Sequence, residues 1–226
     1  MAPAVGIMGG TFDPIHCGHL AAAEEARARF GLERVIFVPS GRPPHKKERE
    51  VSPAEARYEM VALATASNHA FEVSRFEVDR PGPSYSADTM ERYRRMLGAQ
   101  VKLYFITGAD AMLDIMNWHE PERLGRLCEF IAVMRPGYDL GALGRALGPE
   151  FLARTHVLEV PGVEVSSTEI RRRAGAGESL RYLTPPAVIG YIGSRGLYGA
   201  QRKGNLSGES PGGGGGSNRD GDAVRG

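Results

Sequence analysis

The chain has 226 residues, 28 Lys and Arg against 27 Asp and Glu, and 42% hydrophobic residues, which is enough apolar material for one core of good size. A net charge of +1 lacks the basic excess of proteins built to hold duplex nucleic acid or to coat an anionic membrane, so neither is expected as a partner. No run approaches the ~18 consecutive apolar residues of a membrane span, and the N-terminus has no charged stretch leading into an apolar one. The two cysteines, Cys17 and Cys128, show no CxxC spacing, and a reducing, cytoplasmic location is expected.

In chain order, short apolar runs alternate with segments of helical period. Strands are predicted at Val5–Met8, Val35–Val38, Phe71–Val73, Val101–Ile106, Phe130–Met134 and Val157–Val160. Helices are predicted near Leu20–Phe30, Pro53–Asn68, Ala87–Leu97, Pro121–Leu127, Gly141–Leu147, Ser167–Ala174 and Pro185–Ser194, the last ending at Gly196. Ser52 ahead of Pro53, with Glu55 three residues on, reads as a capping box, and Ser167 with Thr168 reads as another helix start. The alternation predicts an α/β domain over residues 1–198, a Rossmann-like doubly wound parallel sheet with helices on both faces. From Gly199 to Gly226 the chain is rich in glycine, including Gly212–Gly216, and nearly free of large apolar side chains; a disordered tail is predicted there.

A doubly wound sheet binds its ligands beyond the carboxyl ends of the strands, so the loops after Met8, Val38, Ile106 and Val160 are where chemistry is sought. The first of these is Gly9-Gly10-Thr11-Phe12-Asp13-Pro14-Ile15-His16-Cys17-Gly18-His19, which runs directly into a helix. Its glycines allow close backbone approach, and the helix start near Gly18 presents free N–H groups and a positive dipole end to an anion. Neither GxxxxGK[ST] nor GxGxxG follows the strand, which argues against a P-loop ATPase and an ordinary dinucleotide-binding dehydrogenase. His16 and His19 face the same way on an entering helical turn, as two donors to a phosphate or two ligands of a metal. A zinc site would need further ligands, and His45, His69, His119 and His156 show no HExxH spacing. Capping or surface roles are the plainer alternative.

The segment Gly10–His19 resembles the T-F-D-P-x-H-x-G-H signature of the nucleotidyltransferase superfamily with an HIGH-type motif. Val165-Ser166-Ser167-Thr168-Glu169-Ile170-Arg171 resembles that superfamily's second motif, ISSTxIR, with Val for Ile at its first position. Read without the resemblance, the second segment is also a helix N-cap followed by surface arginines. The resemblance implies transfer of a nucleoside monophosphate from a triphosphate. It assigns ATP contacts to Gly9, Gly10, Thr11, Phe12, His16, Gly18, His19, Gly108, Asp110, Ser166, Ser167, Thr168 and Arg171, and catalytic roles to His16, His19, Lys46 and Arg171.

Residues 4–198 as a whole are similar to the bacterial nicotinate-nucleotide adenylyltransferases, through Pro43-Pro44-His45-Lys46, Ser84-Tyr85-Ser86-Ala87-Asp88-Thr89, Ile106-Thr107-Gly108-Ala109-Asp110, Trp118-His119 and Arg135-Pro136-Gly137. That likeness implies ATP and nicotinate mononucleotide as substrates and Mg²⁺ as the cofactor, with no metal site of the protein's own. The acceptor contacts it implies fall on Thr11, Lys46, Ser84, Tyr85, Ser86, Trp118, His119 and Arg135. Trp118, the single tryptophan, stands in a polar setting that suits stacking on a planar pyridine ring, with packing as the alternative. Ser86 or Asp88 is expected to cap the following helix, whose start favours a carboxylate over a neutral carboxamide. Asp110 reads either as a contact near the ribose or as a helix cap, and Lys47 is a substitute for Lys46. Asp13 reads either as a Mg²⁺ contact or as a cap on the turn. The rivals are a transferase for phosphopantetheine or nicotinamide mononucleotide, and a non-catalytic nucleotide sensor; the sequence leaves homo-oligomerisation open.

Overall fold

The computed structural model describes residues 2–44, 51–134, 140–160 and 165–200. Strand β1 (Ala4–Gly10) is followed by α1 (Cys17–Phe30), β2 (Arg34–Pro39), α2 (Ala54–Thr65), β3 (Phe71–Val73), α3 (Ser86–Leu97) and β4 (Lys102–Gly108). Then come α4 (Ala109–Leu113), a 3₁₀ turn (Ile115–Asn117), α5 (Pro121–Leu127), β5 (Glu129–Met134), α6 (Leu140–Ala146), α7 (Pro149–Leu152) and β6 (Thr155–Glu159). Helices α8 (Ser167–Gly175) and α9 (Pro186–Arg195) and a 3₁₀ turn (Leu197–Gly199) close the described chain.

The strands form one parallel sheet in the order β3-β2-β1-β4-β5-β6. Every predicted strand forms, with its ends displaced by two residues or fewer. Helices α4 and α7 were not predicted, because segments of five and four residues are too short to show a helical period. Strand side chains alternate between two cores. Met8, Val35, Phe37, Tyr104 and Ile106 pack with α1, α2, α8 and α9. Val5, Ile7, Ile36, Val38, Leu103 and Phe105 pack with helices from α3 to α7. Burial on both faces explains why the strands read as continuous apolar runs. Strand order reverses between β1 and β4, which pair in register from Ala4 with Lys102 to Met8 with Ile106, so the crevice of the fold opens where both strands end.

Two expected helix caps are corrected. Helix α2 starts after Pro53 with no side-chain cap, and the Ser52 N–H donates instead to Asp13 Oδ2 at 3.1 Å. Helix α3 starts at Ser86, with Tyr85 at the cap position and no side-chain cap. Asp88 turns away to Arg80, at 2.8 Å, and to Arg123. At α8 the cap is Ser166, whose Oγ accepts the Glu169 N–H at 3.2 Å. Of the tail expected from Gly199 onward, residues 201–226 lie outside the described residues. Among the described residues no helix is long and apolar enough to cross a membrane.

Candidate active site

The loop from Gly10 to His19 leaves the sheet at the reversal point and enters α1 with His16 at the cap position. The rings of His16 and His19 stack with centroids 3.6 Å apart and planes at 22°. The edge of Phe12 packs on His19 at 5.1 Å. A Cβ on Gly18 would lie 3.1 Å from His16 Nδ1, so this position has little room for a side chain. The His16 N–H donates to His19 Nδ1 at 3.3 Å, which places the ring proton of a neutral His19 on Nε2. Burial, with the neighbouring His16, holds His19 well below the ordinary imidazole value. At pH 7 His19 is therefore a neutral N–H donor.

The remainder of the loop is held from the C-terminal third of the chain. Arg171 Nη1 donates to the Asp13 carbonyl at 2.8 Å, Ser167 Oγ to the Pro14 carbonyl at 2.8 Å, and Thr184 Oγ1 to the Ile15 carbonyl at 2.7 Å. The Cys17 N–H donates to the Leu183 carbonyl at 2.9 Å. Both oxygens of Asp13, which is 4% exposed, accept hydrogen bonds: Oδ2 from Ser52 N–H at 3.1 Å and Oδ1 from the Tyr198 hydroxyl at 2.6 Å. Asp13 thus ties the loop to Ser52 and to Tyr198, and these side-chain bonds are not a cap on the turn at His16.

Beside this loop, between the ends of β1, β2 and β4, lies a cavity of about 610 Å³. Gly9, Gly10, Thr11, Ser40, Pro43 and Pro44 form one wall, and Glu77, Ser84, Tyr85, Ser86, Phe105, Thr107, Ala111, Asn117, Trp118 and His119 form the rest. Trp118 is half-buried with its ring edge-on to Phe105 at 6.0 Å, and Tyr85 stacks on His119 at 4.0 Å. The uncapped start of α3, at Tyr85 and Ser86, opens on the same cavity.

Two buried charged residues that sequence reasoning missed organise these walls. Arg57, 1% exposed, donates to the carbonyls of Ser52 at 2.9 Å, Thr11 at 2.8 Å and Gly41 at 3.0 Å, joining the loops after β1 and β2 to the start of α2. A signal was present: Arg57, Met60, Val61 and Ala64 occupy the buried stripe of α2, and an arginine on an apolar stripe marks a charge with fixed partners. Glu77 is buried and accepts from Thr89 Oγ1, and burial pushes its carboxyl above the usual range. Its backbone approaches Gly41 so closely that a Cβ there would meet the Glu77 carbonyl oxygen at 2.0 Å, so only glycine fits. Ser84 Oγ accepts the N–H groups of Gly41 and Arg42, at 3.0 and 3.2 Å, which fastens the two sides of the cavity together.

The sequence-derived residues thus gather in two adjoining groups. His16 and His19 belong to the clamped loop and Ser167 and Arg171 of α8 clamp it, with Ser166 and Thr168 exposed at the start of α8. Thr11, Ser84, Tyr85, Ser86, Trp118 and His119 line the cavity. Gly108 and Asp110 are exposed at the end of β4 and the start of α4. His45, Lys46, Lys47 and Arg135 lie outside the described residues. Among the described residues no three His, Cys, Asp or Glu side chains form a group able to hold a metal ion.

Comparison with known proteins gives this arrangement a family. Residues 7–173 match the cytidylyltransferase-like family model. The "Probable nicotinate-nucleotide adenylyltransferase" of Moorella thermoacetica is 56% identical over 197 residues, covering 86% of this chain and 91% of that protein. The protein of the same description from Thermus thermophilus is 51% identical over 194 residues, covering 86% and 98%. Among solved structures, the nicotinic acid mononucleotide adenylyltransferase of Plasmodium falciparum complexed with NaAD shares the fold, with a TM-score of 0.73 at 19% identity over 88% of this chain and 98% of that one. With its two motifs set around the strand-order reversal and more than half of the aligned residues identical to the Moorella and Thermus proteins, the chain belongs to the nicotinate-nucleotide adenylyltransferase family.

Proposed function

We propose that this protein transfers the adenylyl group of ATP to nicotinate mononucleotide, giving nicotinate adenine dinucleotide and pyrophosphate. The observation that carries the reading is the cavity at the strand-order reversal, walled by Trp118 and the uncapped start of α3 and adjoining the loop of His16 and His19. Its substrates are cytoplasmic nucleotides, and we place the enzyme there.

An oxygen of the acceptor phosphate attacks the α-phosphorus in line. A P–O bond forms there as the bond to the α,β-bridging oxygen breaks, and that oxygen leaves with its electron pair on pyrophosphate. The attacking phosphate is already anionic at pH 7, so the protein's task is positioning and stabilisation of developing charge rather than proton removal. His19 donates from Nε2 to the phosphate oxygens, with His16 stacked beside it. Arg171 and the Ser166–Thr168 start of α8 receive the β- and γ-phosphates, and Lys46 the acceptor phosphate. Gly108 and Asp110 face the adenosine. Mg²⁺, carried on the triphosphate, would supply screening of the phosphate charge, and no carboxylate of this chain is assigned to hold it: the Asp13 oxygens accept from Ser52 and Tyr198.

In the cavity the pyridine ring stacks on Trp118, and its carboxylate accepts from backbone N–H groups at Tyr85, Ser86 and His119. A charge-assisted hydrogen bond contributes about 1.5–3 kcal/mol, so nicotinate mononucleotide is expected to exceed nicotinamide mononucleotide in kcat/KM by about tenfold or more. Parallel assays reading pyrophosphate and dinucleotide mass check this. Equal use of both acceptors would remove the carboxylate site, and no dinucleotide from either would remove the assignment and leave phosphopantetheine as the acceptor to try. Trp118→Ala is expected to raise KM for nicotinate mononucleotide about three- to tenfold with kcat within about twofold, from an aromatic contact of about 0.5–1.5 kcal/mol. An unchanged KM would make Trp118 a packing residue.

A further inference from the structure

The phenol of Tyr198 lies 185 positions along the chain from Asp13 and donates to its Oδ1 at 2.6 Å. It arrives there on the 3₁₀ turn Leu197–Gly199, which follows the left-handed residue Gly196 and packs against α8 and α9. The Tyr198 backbone is itself left-handed, at φ 59° and ψ 22°. That conformation costs a residue with a Cβ about 1–2 kcal/mol and persists where surrounding contacts hold it. Here the contact is with the residue that joins three parts of the site. Asp13 takes Arg171 on its carbonyl, Ser52 on one carboxylate oxygen and Tyr198 on the other. Burial and the Asp13 carboxylate push the Tyr198 hydroxyl upward in pKa, so it remains a donor across the working range of pH.

We propose that Tyr198 is a positioning residue for adenylyl transfer: by anchoring Asp13 it fixes the loop that presents His16 and His19 and keeps the Asp13 carboxylate turned away from the triphosphate. The chemistry follows from charge. A carboxylate freed on one side, three residues before His16, competes with the phosphates for the same donors and repels them. The neighbouring clamps from Ser167, Thr184 and Leu183 hold Pro14, Ile15 and Cys17 through backbone groups alone, whereas Asp13 is held through its side chain as well as its carbonyl.

The inference rests on the proposed transfer reaction, so the test has one arm that needs no acceptor. In the full chain, Tyr198→Phe removes one oxygen atom and leaves the ring in place. Amide hydrogen exchange is expected to quicken at least fivefold across residues 13–19 without substrates, while β1 and β4 keep their protection; unchanged exchange in that loop overturns the proposal whatever the acceptor is. In the transfer assay kcat is expected to fall about tenfold with both KM values within about threefold, and Tyr191→Phe, a hydroxyl removed from the same C-terminal region, is expected to leave kcat as it was. A kcat within twofold of the parent overturns the proposal, as does a loss matched by Tyr191→Phe. If Tyr198→Phe does not fold, Asp13→Asn, which exchanges one acceptor oxygen for a donor, must show the same local exchange and kcat loss, and normal values there overturn it. Failure of the parent chain to make dinucleotide counts against the acceptor assignment alone.

Discussion

Replacing His19 with alanine is expected to lower kcat by about 100-fold or more while KM for either substrate moves within about threefold. Removal of one donor aimed at charge that develops in the transition state costs about 2.7–4 kcal/mol. His19 has the attributes of such a donor: Nδ1 is occupied by the His16 N–H, and burial and His16 hold the ring neutral, so the proton sits on Nε2. His19→Gln, which can present an N–H near the Nε2 position, is expected to recover part of the loss. Linkage adds a second reading of the same residue. Its folded value lies below the unfolded value of about 6.5, so the unfolded chain takes up the proton first as pH falls. The stability tied to a neutral His19 is complete above pH ~6.5 and declines as pH falls toward the folded value. Thermal melts are expected to show a drop in Tm across that window that is smaller in His19→Gln. An unchanged kcat in His19→Ala would end the donor role.

Arg57→Ala is expected to lower stability by about 4 kcal/mol and to abolish most activity. Three carbonyls, of Thr11, Gly41 and Ser52, lose charge-assisted hydrogen bonds of about 1.5–3 kcal/mol each, partly offset by release of a buried charge. For a domain of this size that corresponds to about 10 °C in Tm. The position is burdened by desolvation, which presses the guanidinium downward in pKa, against support from the Asp13 carboxylate. Arg57→Lys can serve only part of the three-carbonyl fork and is expected to fall between parent and alanine. Melting curves check the stability. A Tm within ~2 °C of the parent, with unchanged KM for the acceptor, would mean that the cavity walls are set without Arg57.

The parts of the fold legible in the sequence are those with local signals. The strands showed as apolar runs because both faces of the sheet are covered, and α3 and α5 were placed to within one residue. Contiguous motifs located the clamped loop and the start of α8. What the sequence did not show is long-range. Tyr198 meets Asp13 across 185 positions and Ser167 meets Pro14 across 153, and no periodicity encodes such pairs. Ser52 looked like a cap because caps and loop ties use the same side chain, and only the fold shows its N–H directed at Asp13. Glu77 lies in Phe76-Glu77-Val78-Asp79, where nothing separates a buried carboxyl from its exposed neighbour Asp79.

Direct adenylyl transfer at this site is tested by single-turnover mixing of excess protein with α-labelled Mg-ATP and nicotinate mononucleotide. Label is expected to pass into nicotinate adenine dinucleotide in step with one equivalent of pyrophosphate and at no time to appear on acid-precipitated protein. Label on the protein before the dinucleotide forms, or ending in free AMP with the acceptor untouched, would contradict it.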